Sequence, residues 1–333
     1  MAEKRRVTGK SLARGLGRTR EHEEEGLKRP TLQRFARLVL IIAACAAVLG
    51  MPDARAATGL AFLKNGADAR AELLGQAVTS VVGDASASYW NPAGLALLSQ
   101  PQLLLCHVES FADLRQEFGV ITQPLGSMTA ALSFNGMWAE DMEGYDGSAN
   151  PTGTLSWSSY EAAVALGQRV STQLALGASI GYLRESIGQY GASGWSLGAG
   201  AQWAPLRTPA LRLGLAVRNI GPSMKFIDDE FRQPLTVQGG ASWLFRPGQA
   251  ASALLVSADV RFVRDEDAAL LLGAEYGFQD LLSLGVGVRT GHDTRDMTVG
   301  IGAHPGRWGL YWAYAPIAED LGDEHRLSVR LDL

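Results

Sequence analysis

The side chains able to do chemistry are few in this chain, and their spacing is poor for catalysis. Its five histidines, His22, His107, His292, His304 and His325, show none of the spacings at which imidazoles share a metal ion. Gly285-Val286-Gly287 has the outline of a dinucleotide loop, yet it lies inside an alternating apolar run with no helix for a phosphate to meet. No serine and histidine stand out as nucleophile and base. The pattern therefore points away from an enzyme, a metal centre or any other cofactor. Nine polar residues do recur on faces otherwise built of small residues: Arg212, Arg218, Gln238, Asp259, Arg261, Glu275, Arg289, His304 and Arg330. On a face turned into a bore, such groups would hold a plugging segment by ion pairs and hydrogen bonds, or line a path. Between the patterned runs lie acidic clusters (Glu140, Asp141, Glu143 and Asp146; Asp228 to Glu230; Asp265 to Asp267; Glu319, Asp320, Asp323 and Glu324). The same stretches carry Trp138, Met142, Tyr145, Met224, Phe226 and Phe231, which would form a binding surface or gate, or pack on one another.

The elements that must position these residues follow from periodicity. From about Gln102 onward apolar residues recur every second position. Leu282, Leu284, Val286 and Val288 alternate with Ser283, Gly285, Gly287 and Arg289, and Leu211 to Arg218 repeats the pattern. Fourteen such segments can be marked, near 102–110, 115–123, 127–137, 158–168, 172–186, 194–204, 211–220, 235–245, 252–263, 268–278, 281–290, 296–304, 308–315 and 325–333. Most reach the ~9–11 residues that a tilted strand needs to cross a bilayer. Short turns follow the even-numbered segments. Longer or more acidic loops, among them 138–156, 221–234 and 316–324, follow the odd ones.

That alternation, an even count and a small-residue inner face predict an all-β fold, a fourteen-stranded antiparallel transmembrane β-barrel with its apolar face toward lipid. Trp195, Trp203, Trp243, Phe245, Tyr276, Phe278, Trp308, Trp312 and Tyr314 lie on that face as interfacial girdles. A last strand alternating to Leu333 would close against the first and remove both edges.

The N-terminus sets the compartment. Leu38 to Gly50 is a short apolar run preceded by Arg34 and Arg37 and followed by Ala54-Arg55-Ala56, the layout of a secretory signal peptide cleaved before Ala57. Residues 1–56 hold 12 basic and 6 acidic side chains, leaving 18 and 28 in residues 57–333, a net charge of −10. Nucleic-acid binding is disfavoured for such a chain. Cys106 is its only cysteine, so an internal disulfide cannot form. Residues 57–101 lack the strand pattern and read as helices and loops around Asn91-Pro92, an N-terminal hatch within the barrel of 102–333.

DASASYWNPAGLA, LGLAVRNIGPSMKF, LLGAEYGFQDLLSLGVGVRTG, GLYWAYAP and LGDEHRLSVRLDL together resemble the PorV/PorQ family across nearly all of 62–333. That family is similar to FadL-like outer-membrane barrels. The resemblance implies fourteen strands, an N-terminal hatch and an Asn-Pro-Ala motif, here Asn91, Pro92 and Ala93. The sequence departs from it at Glu72-Leu73-Leu74 and at the C-terminal Leu333, where an aromatic is usual. Two functions are implied: passage or binding of hydrophobic small molecules, and a non-transporting platform that receives secreted proteins from a type IX translocon. Outer-membrane lipid is a partner under either, and oligomeric state stays open.

Overall fold

The computed structural model describes residues 58–227, 229–246, 252–291, 297–317 and 322–333. The leader, its cleavage site, His22 and His292 lie outside the described residues. Fourteen of the described strands close into one antiparallel barrel. They are β1 (Gln102–Glu109), β2 (Arg115–Leu125), β3 (Met128–Tyr145), β4 (Pro151–Arg169), β5 (Leu174–Ile187), β6 (Tyr190–Trp203), β7 (Leu211–Ile220), β10 (Thr236–Phe245), β11 (Ala253–Val263), β12 (Ala269–Phe278), β13 (Leu282–Arg289), β14 (Met297–Ala303), β15 (Trp308–Ile317) and β16 (Gly322–Asp332). A separate ribbon, β8 (Met224–Phe226) with β9 (Asp229–Phe231), occupies the connection from β7 to β10. Closure comes from β1 against β16, running from Gln102 opposite Asp332 to Glu109 opposite His325. No described helix is long and apolar enough to cross a membrane, so any crossing here is made by strands.

Polarity is inverted relative to a water-soluble barrel. In β13 every residue of the apolar set, Leu282, Leu284, Val286 and Val288, is exposed, and every alternate residue is buried. Leu284 is 62% and Leu132 59% exposed, values that would be costly in water over a whole belt but are favourable against hydrocarbon. Trp203, Phe278 and Trp308 stand exposed at the short-turn ends of β6, β12 and β15, with Trp243 and Phe245 half-exposed at the end of β10. Trp312 lies near the middle of β15, farther from the strand ends than a girdle requires.

Two features differ from the sequence expectation. Residues 138–156 are not a loop, because β3 runs on to Tyr145 and β4 begins at Pro151, so only 146–150 connect them. Both strands are roughly twice the length that a bilayer crossing needs. Beyond lipid the outer face has no reason to be apolar, and the alternation that identifies a strand fades. The second difference is the inner face of β1 and β2, where Leu104, Val108, Phe118 and Val120 are buried apolar residues in place of small ones.

Candidate functional site

The bore is filled by residues 58–101, which form three short helices, α1 (Phe62–Asn65), α2 (Ala69–Leu73) and α3 (Ala87–Trp90), and a 3₁₀ segment, Pro92–Leu97. Helices of four or five residues are not stable alone. These are held by caps and by the wall. Asp68 caps α2, its Oδ1 accepting from the Ala71 N–H at 2.9 Å and its Oδ2 from Trp90 Nε1 at 2.7 Å. Burial, reinforced by Asp84, pushes the Asp68 carboxyl up to about 6.

Glycines in the wall make room at two places. Gly167, Gly177 and Gly200 lie in register across β4, β5 and β6. A Cβ at Gly177 would stand 2.2 Å from the Pro92 carbonyl carbon, and one at Gly200 would collide with Asn91 Oδ1. Asn91, Pro92 and Ala93 thus sit directly on a glycine row. Asn91 is wholly buried, its Nδ2 donating to Thr79 O at 2.8 Å and Ala201 O at 3.2 Å while its Oδ1 accepts from the Ala93 N–H. The amide therefore ties two stretches of the inner segment to the wall. On the other side, Gly273, Gly285, Gly287 and Gly300 of β12 to β14 receive Leu73, Leu74 and Gly75. Gly75 has φ +58 and would itself place a Cβ 2.9 Å from Val288 N, so both its conformation and its clearance require glycine.

Polar groups bind the segment to the wall between these rows. Glu72, 1% exposed, meets Arg289 at 2.7 Å and Arg326 at 3.4 Å and accepts from Gln76 Nε2. Gln76 is in turn held by Arg261 and by Gln238, which also donates to Asp259. Asp259 accepts from the Thr79 N–H. Arg70 pairs with Glu275 at 2.9 Å and reaches Asp84 at 3.6 Å. Arg218 bonds Gln238 and lies 5.0 Å from the ring centres of both Tyr89 and Trp90, a cation–π arrangement. Of the polar residues singled out from sequence, Arg218, Gln238, Asp259, Arg261, Glu275 and Arg289 converge on the inner segment. His304 stands apart beside Tyr311 at the short-turn end, where burial and then Arg330 lower its pKa. Arg330 approaches Asp84 at 3.8 Å. Arg212 reaches the inner face near the same mouth without joining the network.

Several partners escape the sequence reading. Glu324, grouped there with an exposed acidic loop, is fully buried and pairs with Arg326 at 2.7 Å. The signal was available, since Glu324, Arg326 and Ser328 share the parity of the inward face of β16. Asp265 and Glu266 likewise pair with Lys64 of the inner segment, at 2.8 and 3.2 Å.

The six loop residues do not form one surface. Met142 and Tyr145 are exposed on the far half of β3, and Trp138 is half-buried. Met224 is buried, in one cluster with Leu60, Phe62, Leu63, Met137 and Leu183, against which Phe226 and Phe231 pack. Phe231 occupies the space where a side chain on Gly59 would project, and Gly59 N donates to Arg232 O. The β8–β9 ribbon is therefore folded inward, an apolar lid over the start of the inner segment. Among the described residues no group of three or more His, Cys, Asp or Glu could hold a metal ion.

No protein-family profile matches this chain, and no curated protein matches its sequence. Solved structures do resemble it. The Pseudomonas putida toluene transporter TodX is 11% identical, with a TM-score of 0.59 over 80% of this chain and 99% of its own. The CymD monoaromatic hydrocarbon channel is 12% identical, with a TM-score of 0.58 over 83% and 99%. A Pseudomonas aeruginosa FadL homologue is 12% identical, with a TM-score of 0.51 over 80% and 98%. At such identities the likeness establishes a shared FadL-like barrel fold.

Proposed function

We propose that this protein is an outer-membrane barrel that binds and passes hydrophobic small molecules, with residues 58–101 acting as its hatch. The observation that carries this reading is a barrel that is apolar outside and plugged inside, with an apolar cluster roofing the plug at the mouth opposite the short turns. In outer-membrane barrels short turns face the periplasm, so that cluster faces outward. The fold shared with a toluene transporter and a monoaromatic hydrocarbon channel supports an apolar ligand. The leader of residues 1–56 would direct export. Asn91, Pro92 and Ala93 seat the hatch, and the buried wall groups Arg218, Asp259, Arg261, Glu275 and Arg289 clamp it. Passage then requires this network to part. Liposomes carrying the protein should admit a monoaromatic hydrocarbon faster than protein-free liposomes. Variants at Asn91 or Pro92 should change that rate, and equal rates throughout would remove the transport reading.

The PorV-like reading, a platform receiving secreted proteins, is favoured by the exposed far ends of β3 to β6. There Tyr145 is 58% and Tyr190 48% exposed on hairpins longer than lipid requires. A genome without type IX translocon components, or without cargo bearing the matching C-terminal domains, would dismiss it.

A further inference from the structure

We propose that the lipid-facing wall of β12 to β15 carries a specific site for a zwitterionic glycerophospholipid, with its head between Arg307 and Asp280 and one acyl chain in a trough beside them. The trough is a surface cavity of about 550 Å³. Its floor is Leu282 and Leu284 of β13 with Ile301 and Ala303 of β14, aliphatic side chains on paired strands. Larger side chains flank that floor, Tyr276 and Phe278 on β12 and Leu310 and Trp312 on β15. A second hollow of about 390 Å³ shares Tyr276, Leu284, Ile301 and Trp312 and continues to Val286 and Val299. The trough thus runs from the short turns toward mid-membrane, the course of an acyl chain in the leaflet on the short-turn side. From Leu282 to Val286 it follows about 13 Å of strand at ~3.3 Å per residue, close to the ~15 Å of hydrocarbon in one leaflet. A methylene is about as large as a water molecule, ~30 Å³, so the volume suffices for most of one chain.

Apolar fit alone does not retain a lipid, because bulk acyl chains solvate the same surface equally well. The head must select, and the two turns at the foot of the trough supply the charges. Phe278 and Leu282 bracket the β12–β13 turn that holds Asp280, and Ala303 and Trp308 bracket the β14–β15 turn that holds Arg307. These turns are tied together, His304 N donating to Leu281 O at 2.7 Å. Asp280 and Arg307 are both exposed, and neither side chain has a hydrogen bond or ion pair among the described residues. An arginine fork suits a phosphate ester, and a carboxylate suits a primary ammonium, so a head carrying both charges matches the pair. A purely anionic head would set its charge against Asp280. Trp308, exposed at the same level, marks the membrane interface there.

The site rests on the barrel standing in a membrane and needs no transport. Full-length protein in dodecyl maltoside micelles would be titrated with lipids brominated on their acyl chains, with tryptophan quenching as the readout. Phosphatidylethanolamine should quench at lower mole fraction than phosphatidylglycerol or diacylglycerol of the same chains. Ala303→Phe, which fills the floor, and Trp312→Phe, which removes a fluorophore of the wall, should each reduce the saturable part of the quenching. Arg307→Gln should weaken the apparent affinity about fivefold, the order expected of one arginine at a lipid head group, and Asp280→Asn should bring phosphatidylglycerol level with phosphatidylethanolamine. Unchanged heat-modifiable mobility would confirm intact barrels in the variants, whereas a parent without such mobility would remove the barrel reading and the site with it. Diacylglycerol quenching as strongly as phosphatidylethanolamine, or phosphatidylethanolamine quenching unaltered by both Ala303→Phe and Arg307→Gln, would overturn the site. Phosphatidylglycerol binding the parent as tightly as phosphatidylethanolamine would overturn the zwitterionic head.

Discussion

Gly177→Ala adds one methyl group at the point where wall and inner segment come closest. The new Cβ would lie 2.2 Å from the carbonyl carbon of Pro92, 2.4 Å from the nitrogen of Ala93 and 2.5 Å from the Pro92 oxygen. All three are backbone atoms, so no rotamer change relieves the clash. Restoring ordinary contact requires the Asn91–Ala93 stretch to retreat by about 1 Å, which carries the 3.2 Å Asn91 bond to Ala201 O past hydrogen-bonding range. Overpacking of this kind costs ~1–3 kcal/mol, and a buried hydrogen bond left unmade adds a similar amount. A total of about 3 kcal/mol shifts the ratio of seated to unseated segment by about 100-fold. In planar bilayers the variant should show conductance events rare in the parent, and limited proteolysis should nick residues 76–98 sooner. Gly277→Ala is the control, its nearest neighbour being 3.8 Å from the added carbon. The reasoning is refuted if Gly177→Ala matches both parent and control in conductance and in protease resistance while its barrel remains heat-modifiable.

Three further changes probe the same contact surface. Asn91→Asp removes the donor that serves Thr79 O and Ala201 O and sets a charge against them, so it should loosen the segment more than Asn91→Ala, by ~1–3 kcal/mol or above, as read by amide exchange over residues 79–97. Glu72→Leu leaves Arg289 and Arg326 buried without one of their counter-charges, a loss of about 3–5 kcal/mol that should appear as faster proteolysis of the segment. Asp68 makes the seating depend on pH. Its folded pKa of about 6 exceeds the ordinary 3.8, so the folded state holds the extra proton, and the associated stability is full below pH 4 and lost as pH rises through 6. That difference is worth ~3 kcal/mol. Protection factors in α2 and α3, corrected for the intrinsic pH dependence of exchange, should therefore be higher at pH 5 than at pH 7, and Asp68→Asn, which keeps one acceptor and sets an amide N–H against the other donor, should flatten the dependence.

The barrel was legible because lipid on one side and a packed bore on the other impose period two on each strand. Every one of the fourteen segments marked from sequence overlaps a barrel strand, but loop length does not follow parity throughout, since β5 and β6 are joined by residues 188–189 alone while 204–210 join β6 to β7. The far halves of β3 and β4 were not legible, since water on both faces lifts the demand for alternation. Met224, Phe226 and Phe231 read as exposed loop residues because their partners, Leu60 and Phe62, are more than 160 positions away in the chain. Local pattern carries no trace of such a contact. Glu72 stood out in sequence only as a departure from the resemblance, and its two arginines give that departure a physical reason.

The glycine rows also fix an order of construction. One half of the seat, on β4 to β6, exists once the chain has been placed as far as Trp203. The other half, on β12 to β14, and the Arg326 that reaches Glu72 are contributed by the last third of the polypeptide. The seat of the inner segment is therefore complete only when the final hairpins are in place and β16 is paired with β1. Ring closure joins residues more than 200 positions apart, the kind of long-range contact associated with slow folding.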